Sequence, residues 1–97
     1  MMQTIKVKPD DGVFGWAIFI DGRPIHHYNR DLEAVLSLAA GDHRLVYDVS
    51  GSGGTLEISM DPEPVFNEPA DGEWPFTIEV PANRTAVYDA IYFRTGG

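Results

Sequence analysis

The three histidines are the side chains best suited to hold a transition metal or to move a proton. His26 and His27 are adjacent in a stretch that reads as extended, so their side chains point to opposite faces and cannot share one metal without a bend. His43 could join either of them across strands, but a zinc or nickel site needs three or four converging ligands, and nothing in the spacing indicates convergence. We therefore predict ordinary surface histidines, with no metal and no cofactor.

The patterns of nucleophilic and phosphate-binding sites are also missing. The chain has no cysteine, and none of its serines stands in a Gly-x-Ser-x-Gly elbow. The run Gly51-Ser52-Gly53-Gly54 lacks both the Gly-Lys-Ser/Thr ending of a phosphate loop and a following helix, so we interpret it as the tip of a hairpin. Among fifteen acids, no pair stands out as the two carboxylates of a glycoside hydrolase. The sequence predicts no catalytic residue and a protein that is not an enzyme.

Acidic side chains are unevenly distributed along the chain. The formal net charge is −8, and the span from Leu45 to Asn83 holds eight of the fifteen acids and no Lys, Arg or His. The other seven acids are balanced by seven Lys and Arg, so this span carries the whole imbalance. It should repel a phosphate backbone, and we predict no nucleic-acid partner. Such a surface either keeps the protein soluble or docks a basic partner or a cation.

The passage from Asp61 to Pro75 is the first candidate for a working surface. Its four prolines leave few backbone donors, so we predict an irregular loop of about 15 residues, and long loops in small domains are often functional. Phe66 and Trp74 could anchor this loop or form an aromatic-acidic patch with the neighbouring carboxylates. The candidate binding residues are Glu63, Phe66, Glu68, Asp71, Glu73 and Trp74.

Most of the remaining chain alternates between apolar and polar residues, as strands with one buried face do. Leu45, Tyr47 and Val49 alternate with polar residues, and so does the apolar set in 55–60 after the glycine-rich run. The stretch from Phe14 to Ile20 is apolar on both faces, with Phe14 placed on the same face as Trp16, and we predict it at the centre of a sheet. Residues 1–97 are predicted to form a single domain, an all-β antiparallel sandwich of seven or eight short strands at hairpin spacing.

Two local features leave alternatives open. Residues 32–39 fit a helix capped by Asp31 and also a strand that alternates at Leu32, Ala34, Leu36 and Leu38; the surrounding pattern favours the strand, with one helical turn near 31–38 as a hybrid. In the last strand, Asp89 falls on the apolar face, which implies either a bulge or a buried carboxylate with a partner.

Two segments together resemble a family of modules. Residues 18–25 place an Asp21-Gly22 turn after a strand, and residues 36–47 place leucines before Gly41-Asp42-His43 and another strand. This order is similar to that of PEGA-type and related immunoglobulin-like β-sandwich modules and covers about a third of the chain. The resemblance implies a sandwich fold and a binding or spacer role. The chain departs from the family because the small-residue and proline motif does not follow its Asp-Gly turn. Its first residues contain no apolar stretch of signal-peptide length, so we expect no signal sequence, which is a second departure.

The leading functional prediction is a binding module that engages a protein partner through the loop at 61–75, whose acidity would suit a basic partner. One alternative is carbohydrate binding through Trp74 and tyrosines, and another is a small acidic inhibitor or immunity-like protein that covers a basic site. With no apolar run of spanning length, we expect no membrane segment and a cytoplasmic location. Self-association through sheet edges is a further prediction, since Lys6, Lys8 and the prolines would protect such edges only in part.

Overall fold

The computed structural model describes residues 2–25, 30–83 and 85–96, which form nine β-strands and no helix. The strands, in chain order, are β1 (Met2–Pro9), β2 (Val13–Ile20), β3 (Arg23–Pro24), β4 (Leu32–Ser37), β5 (Gly41–Gly51), β6 (Thr55–Asp61), β7 (Val65–Glu68), β8 (Phe76–Glu79) and β9 (Ala86–Thr95). The stretch predicted to be extended, from His26 to Tyr28, lies outside the described residues, and so does Arg84.

The strands form two antiparallel sheets that pack as a sandwich, which confirms the predicted fold class. One sheet has the order β4-β1-β6-β8 and the other has the order β3-β2-β5-β9-β7. Their inner faces supply one hydrophobic core, whose fully buried members include Ile5, Ile18, Leu45, Ile58 and Phe93. The predicted alternation is therefore real, because every second residue of these strands turns toward the opposite sheet.

The order of the strands differs from the predicted hairpin pattern. Apart from β2 and β3, each strand is followed in the chain by a strand of the other sheet, so short connections cross between layers. The hairpin between β2 and β3 is confirmed: Ile20 pairs with Arg23, and Asp21 and Gly22 have φ angles of 52° and 81°. These positive values are the ones that a two-residue turn of this kind requires.

The glycine-rich run after β5 is one of these crossings, and its interpretation as a hairpin tip is wrong. β5 belongs to the five-stranded sheet, and β6 belongs to the other. The backbone N–H of Ser52 donates to the carbonyl of Gly12 at 2.8 Å, and that of Gly53 donates to the carbonyl of Pro81 at 3.1 Å. A Cβ built on Gly54 would lie 2.3 Å from the carbonyl carbon of Gly12. The glycines are needed because backbone segments meet here without room for side chains.

The expectations for β2 need two corrections. The register with β5 shifts between Val13 and Gly15, so Val13 is buried and Phe14 is 53% exposed rather than sharing the face of Trp16. The strand is also not at the centre of its sheet. β5 holds that place, while the far side of β2 pairs only with the two residues of β3. Its second apolar face is the half-buried outer surface of the sandwich.

Of residues 32–39, those from Leu32 to Ser37 form a strand, and the helical turn considered near 31–38 is absent. β4 pairs with β1 from Leu32 opposite Val7 to Ser37 opposite Met2, and forms an edge of its sheet. β1 lies between β4 and β6, so Lys6 and Lys8 do not protect an edge as expected. The loop predicted at 61–75 is also partly regular, because β7 pairs with β9 inside it and raises the number of strands to nine.

Asp89 follows neither predicted alternative. The pairing of β5 with β9 runs without a shift from Gly41 opposite Thr95 to Ser50 opposite Ala86, and Asp89 is exposed. Because β7 reaches only as far as Tyr92, residues 86–91 form an open edge, and Asp89 lies at that edge. Its Oδ1 accepts a hydrogen bond from the backbone N–H of Ala90 at 2.8 Å. Burial, together with the charge of Asp89, raises the pKa of the opposite residue, Tyr47.

Across residues 2–25, 30–83 and 85–96, no helix has the length and apolar character needed to cross a membrane.

Candidate functional site

The segment from Asp61 to Pro75, called the arm below, is held against the body of the sandwich by its two aromatic residues. The rings of Phe66 and Trp74 stack at a centroid distance of 4.6 Å, and the rings of Trp74 and Phe93 of the core form a T-shaped pair at a centroid distance of 6.1 Å. The indole N–H of Trp74 donates to the carbonyl of Pro64 at 2.8 Å. This bond closes the arm on itself across ten residues, so the arm has a defined shape.

The turn between β7 and Trp74 is packed equally tightly. The backbone N–H of Gly72 donates to the carbonyl of Pro69 at 3.0 Å. A Cβ built on Gly72 would lie 2.6 Å from the ring of Phe66, so the backbone lies directly against that ring. The peptide bonds before Pro62, Pro69 and Pro75 are cis. Phe66 and Trp74, both half-buried, therefore serve as anchors of the arm, and the indole already uses its one donor inside the chain.

The four predicted carboxylates of the arm lie on its outer surface. Glu63, Glu68, Asp71 and Glu73 are all exposed. In the part of the chain that the structure describes, no Lys, Arg or His forms an ion pair with any of them; the three ion pairs there are Lys6–Glu33, His43–Asp21 and Arg94–Asp42. The arm thus presents negative charge that these residues do not neutralise.

The carboxylates do not share one pocket. Glu63 borders a cleft of about 430 Å³ between the arm, the start of β1 and the end of β9. Glu68 borders a separate depression with Arg44 and Tyr92 on the outer face of the five-stranded sheet. Asp71 and Glu73 follow in the turn that packs on Phe66. The structure brings the two aromatic residues together and leaves the four acids spread along the arm, from Glu63 to Glu73.

Asp42 links the arm to the neighbouring strands. Its Oδ1 accepts from the side-chain amide of Asn67 at 3.0 Å and from Nε of Arg94 at 3.2 Å. These bonds join β5, β7 and β9 on the outer surface, where the pairing of β7 with β9 is interrupted between Phe66 and Glu68. The arm is therefore fastened at its start, through strand pairing and Asp42, and at its end, through Trp74.

A second cluster surrounds His43, which is buried and not the surface histidine that we expected. Its Nδ1 lies 2.6 Å from Oδ2 of Asp21, and its Nε2 lies 2.7 Å from the carbonyl of Ala39 and 3.2 Å from Oγ1 of Thr95. The ring also stacks on Phe93 at 5.5 Å. This cluster joins the β2–β3 turn, the β4–β5 connection and the end of β9, and it brings together the two segments on which the family resemblance depends.

The hydrogen bonds of this cluster stabilise the charged form of both partners. Burial opposes the charge on His43, but the bonds to Asp21 and Ala39 and the charges of Asp21 and Asp42 outweigh it and raise the pKa of His43. Burial likewise opposes the charge on Asp21. Its bond to His43, the backbone N–H of Arg44 and the charges of His43 and Arg23 lower the pKa of Asp21 overall.

Asp21, His43 and Thr95 have the residue types of a hydrolytic triad, but their hydrogen bonds hold neighbouring segments of the chain together. We call these three residues the clamp. The hydroxyl of Thr95 donates to the carbonyl of Ala39 at 2.8 Å, and Thr95 is only 4% exposed. Both ring nitrogens of His43 face oxygen acceptors. The ring therefore holds its protons between fixed acceptors instead of passing one to a hydroxyl.

Sequence reasoning missed a buried amide beside the arm. Gln3 is 1% exposed on the inner face of β1, and its Nε2 donates to the carbonyl of Pro62 at 2.7 Å. Its Oε1 is buried and has no partner among the described residues. No pattern in the sequence marks this residue, because a glutamine near the start of a chain is ordinarily exposed.

Among described residues, no group of three or more His, Asp or Glu side chains converges as a metal site would. Comparison of the chain with family models, with characterised proteins and with solved structures found no match.

Proposed function

We propose that this protein is a non-enzymatic interaction module that docks a basic protein partner on its arm. The observation that carries the proposal is the contrast within residues 61–75. The side chains of Phe66 and Trp74 anchor the segment to the body of the sandwich. The four carboxylates are exposed and have no ion-pair partner among the described residues. Fixed charges on a shaped segment favour binding, because little ordering is needed when a partner arrives.

The geometry favours protein docking over carbohydrate binding through Trp74. A sugar would need an open aromatic face, whereas Trp74 stacks on Phe66, meets Phe93 and donates its N–H to Pro64. An acidic protein that covers a basic enzyme site is one form of the same proposal. The resemblance to PEGA-type and immunoglobulin-like modules agrees with a binding role and remains a prediction.

Affinity capture followed by mapping on the chain tests the proposal. The wild-type protein is immobilised beside a variant in which Glu63, Glu68, Asp71 and Glu73 are replaced by Gln or Asn, and retained proteins from the native source are eluted with increasing salt. We expect a basic protein that is retained by the wild type alone and eluted by salt, since attraction between exposed charges is screened. Titration of the labelled chain with that protein should move the amide signals of residues 61–75. A partner that moves only signals elsewhere would overturn the proposal.

A further inference from the structure

One residue that lines the cleft beside the arm, Gln3, has a buried side-chain oxygen that is left unpaired among the described residues. Gln3 stands at the point where β1 extends past Thr4, which pairs with Asp61, the last residue of β6. The carbonyl of Pro62 can only accept, so the amide nitrogen of Gln3 must face it. That requirement fixes Oε1 as the free end of the amide. A buried carbonyl oxygen without a donor is destabilising, and a donor supplied by a ligand would relieve it.

The wall that the arm contributes to the cleft offers acceptors and few donors. Pro62 and Pro64 have no backbone N–H. Glu63 between them has an exposed carboxylate. On the opposite wall, the hydroxyl of Thr95 already donates to Ala39. The cleft therefore suits a group that carries several donors and no acceptor.

Ammonium and guanidinium groups are the protein side-chain groups that meet this description, since each carries only donors. One cation, Arg94, also borders the cleft, but its Nε donates to Asp42 at 3.2 Å, so a carboxylate outside the cleft offsets its charge. The volume of about 430 Å³ accommodates one long side chain.

We propose that this cleft receives a lysine or arginine side chain of the basic partner, with Oε1 of Gln3 and the carboxylate of Glu63 as its acceptors. The inference deepens the proposed function and rests on it. It selects one point of the arm as the place where a single cationic side chain is bound, while the remaining carboxylates attract the partner from a distance.

Small cationic probes test this site without the partner. Nα-acetyl-lysine amide and Nα-acetyl-arginine amide are titrated into the labelled protein, with the norleucine and citrulline analogues as uncharged controls of similar shape. We expect the charged probes, and not the controls, to shift the side-chain amide signals of Gln3 and the backbone signals of Glu63 and Gly96. The stronger of the two charged probes identifies the preferred side chain.

Variants separate the two acceptors from bulk charge. Gln3→Met and Glu63→Gln should each weaken the binding of the better probe by about tenfold or more, the loss expected for one hydrogen bond to a charged group. Arg94→Gln should leave the affinity unchanged or increase it. Because Glu63 is exposed, its variant will fold. Where Gln3→Met does not fold, the shifts that the charged probes cause in the Gln3 side-chain amide of the wild type still decide the proposal.

These experiments distinguish failure of the cleft proposal from failure of the proposed function. If neutralising the arm weakens partner binding while Gln3→Met does not, and the probes leave the Gln3 signals unmoved, the cleft proposal is overturned and the docking arm stands. Equal shifts from the charged and uncharged probes would also overturn it. If neutralising the arm leaves partner binding intact, the proposed function fails, whatever the probes do.

Discussion

The imidazole Nδ1 of His43 lies 2.6 Å from Oδ2 of Asp21, and this contact ties the β2–β3 turn to the start of β5. The other carboxylate oxygen of Asp21 accepts from the backbone N–H of Arg44 at 3.0 Å, so one side chain fixes both the ring and the strand that carries it. Asp21 reaches these partners from a positive φ, which aspartate tolerates better than most residues.

The first prediction is a pH-dependent stability that this pair controls. The raised pKa of His43 means that its contribution is complete below the unfolded value, about 6.5, and is lost as the pH rises through the folded-state pKa. The lowered pKa of Asp21 means that its contribution is complete above about 3.9 and is lost as the pH falls through the folded-state pKa. The clamp should be strongest between about pH 4 and 6.5, and urea unfolding should show a decline above that window.

Asp21→Asn is the matched variant, because asparagine also accepts a positive φ and keeps the shape of the side chain. We expect the pKa of His43, measured by NMR titration of the ring, to fall, and the decline in stability above pH 6.5 to flatten. Asp11→Asn removes an equal charge at an exposed position and should change neither result. An unaltered His43 titration in Asp21→Asn would show that the pair does not stabilise the charged ring.

The second prediction concerns the crossing between the sheets. Gly54→Ala should destabilise the fold by at least about 3 kcal/mol or prevent folding, because the new methyl group would meet the backbone of Gly12 and Val13 within 2.7 Å. Gly15→Ala is the control, since the nearest atom to its Cβ would be Oγ of Ser50 at 3.6 Å. It should change the free energy of unfolding, measured in urea, by less than about 1 kcal/mol. Similar losses in both variants would contradict the close approach.

The third prediction is that Trp74 controls the order of the arm. Trp74→Phe removes the hydrogen bond to Pro64 and should cost about 1 kcal/mol, while Trp74→Ala also removes the stacking on Phe66 and should cost about 3 kcal/mol. Hydrogen exchange of the Gly72 amide, which is bonded to Pro69, should be faster in Trp74→Ala and nearly unchanged in Trp74→Phe. Exchange that is as slow in Trp74→Ala as in the wild type would mean that other contacts hold the arm.

The fourth prediction is that Asp89 keeps the open edge of β9 from pairing with another copy of the chain. A charge at an open edge opposes the addition of a further strand, and this carboxylate also accepts a hydrogen bond from the N–H of Ala90. Asp89→Val should produce concentration-dependent dimers or larger species in sedimentation velocity experiments. Asp48→Asn, on the outer face of the same sheet, should leave the association state the same as in the wild type. A wholly monomeric Asp89→Val protein would remove this role.

The fold class could be predicted because burial alternates along each strand, as at Leu45, Tyr47 and Val49 in β5. The strand order could not be predicted in the same way. Gly51 to Gly54 have the composition of a hairpin turn, yet the same residues allow a crossing in which backbones touch. The exposed place of Phe14 depends on one extra residue in β2, and apolar alternation alone cannot show such a shift.

Part of the candidate site could also be predicted from the sequence. The charges of Glu63, Glu68, Asp71 and Glu73 follow from residue type, because carboxylates without partners stay in water. The inward packing of Phe66 and Trp74 was one of two open alternatives, and Gly72 against the Phe66 ring decides between them. Gln3 and the buried ring of His43 depend on contacts between residues distant in the chain, which no local pattern reveals.

The proposed docking requires that the position of the arm's charges, and not the net charge of the protein, determines binding. Two variants test it, each changing the formal charge from −8 to −4 by neutralising four exposed acids. One removes Glu63, Glu68, Asp71 and Glu73 from the arm, and the other removes Asp11, Asp48, Glu57 and Glu79.

The decisive measurement is the calorimetric Kd of the captured partner for the wild type and both variants at low salt. We predict that the arm variant binds about tenfold or more weakly, a loss of about 1.4 kcal/mol, and that the control variant stays within about threefold of the wild type. Equal losses in the two variants, or no loss in the arm variant, would contradict the account.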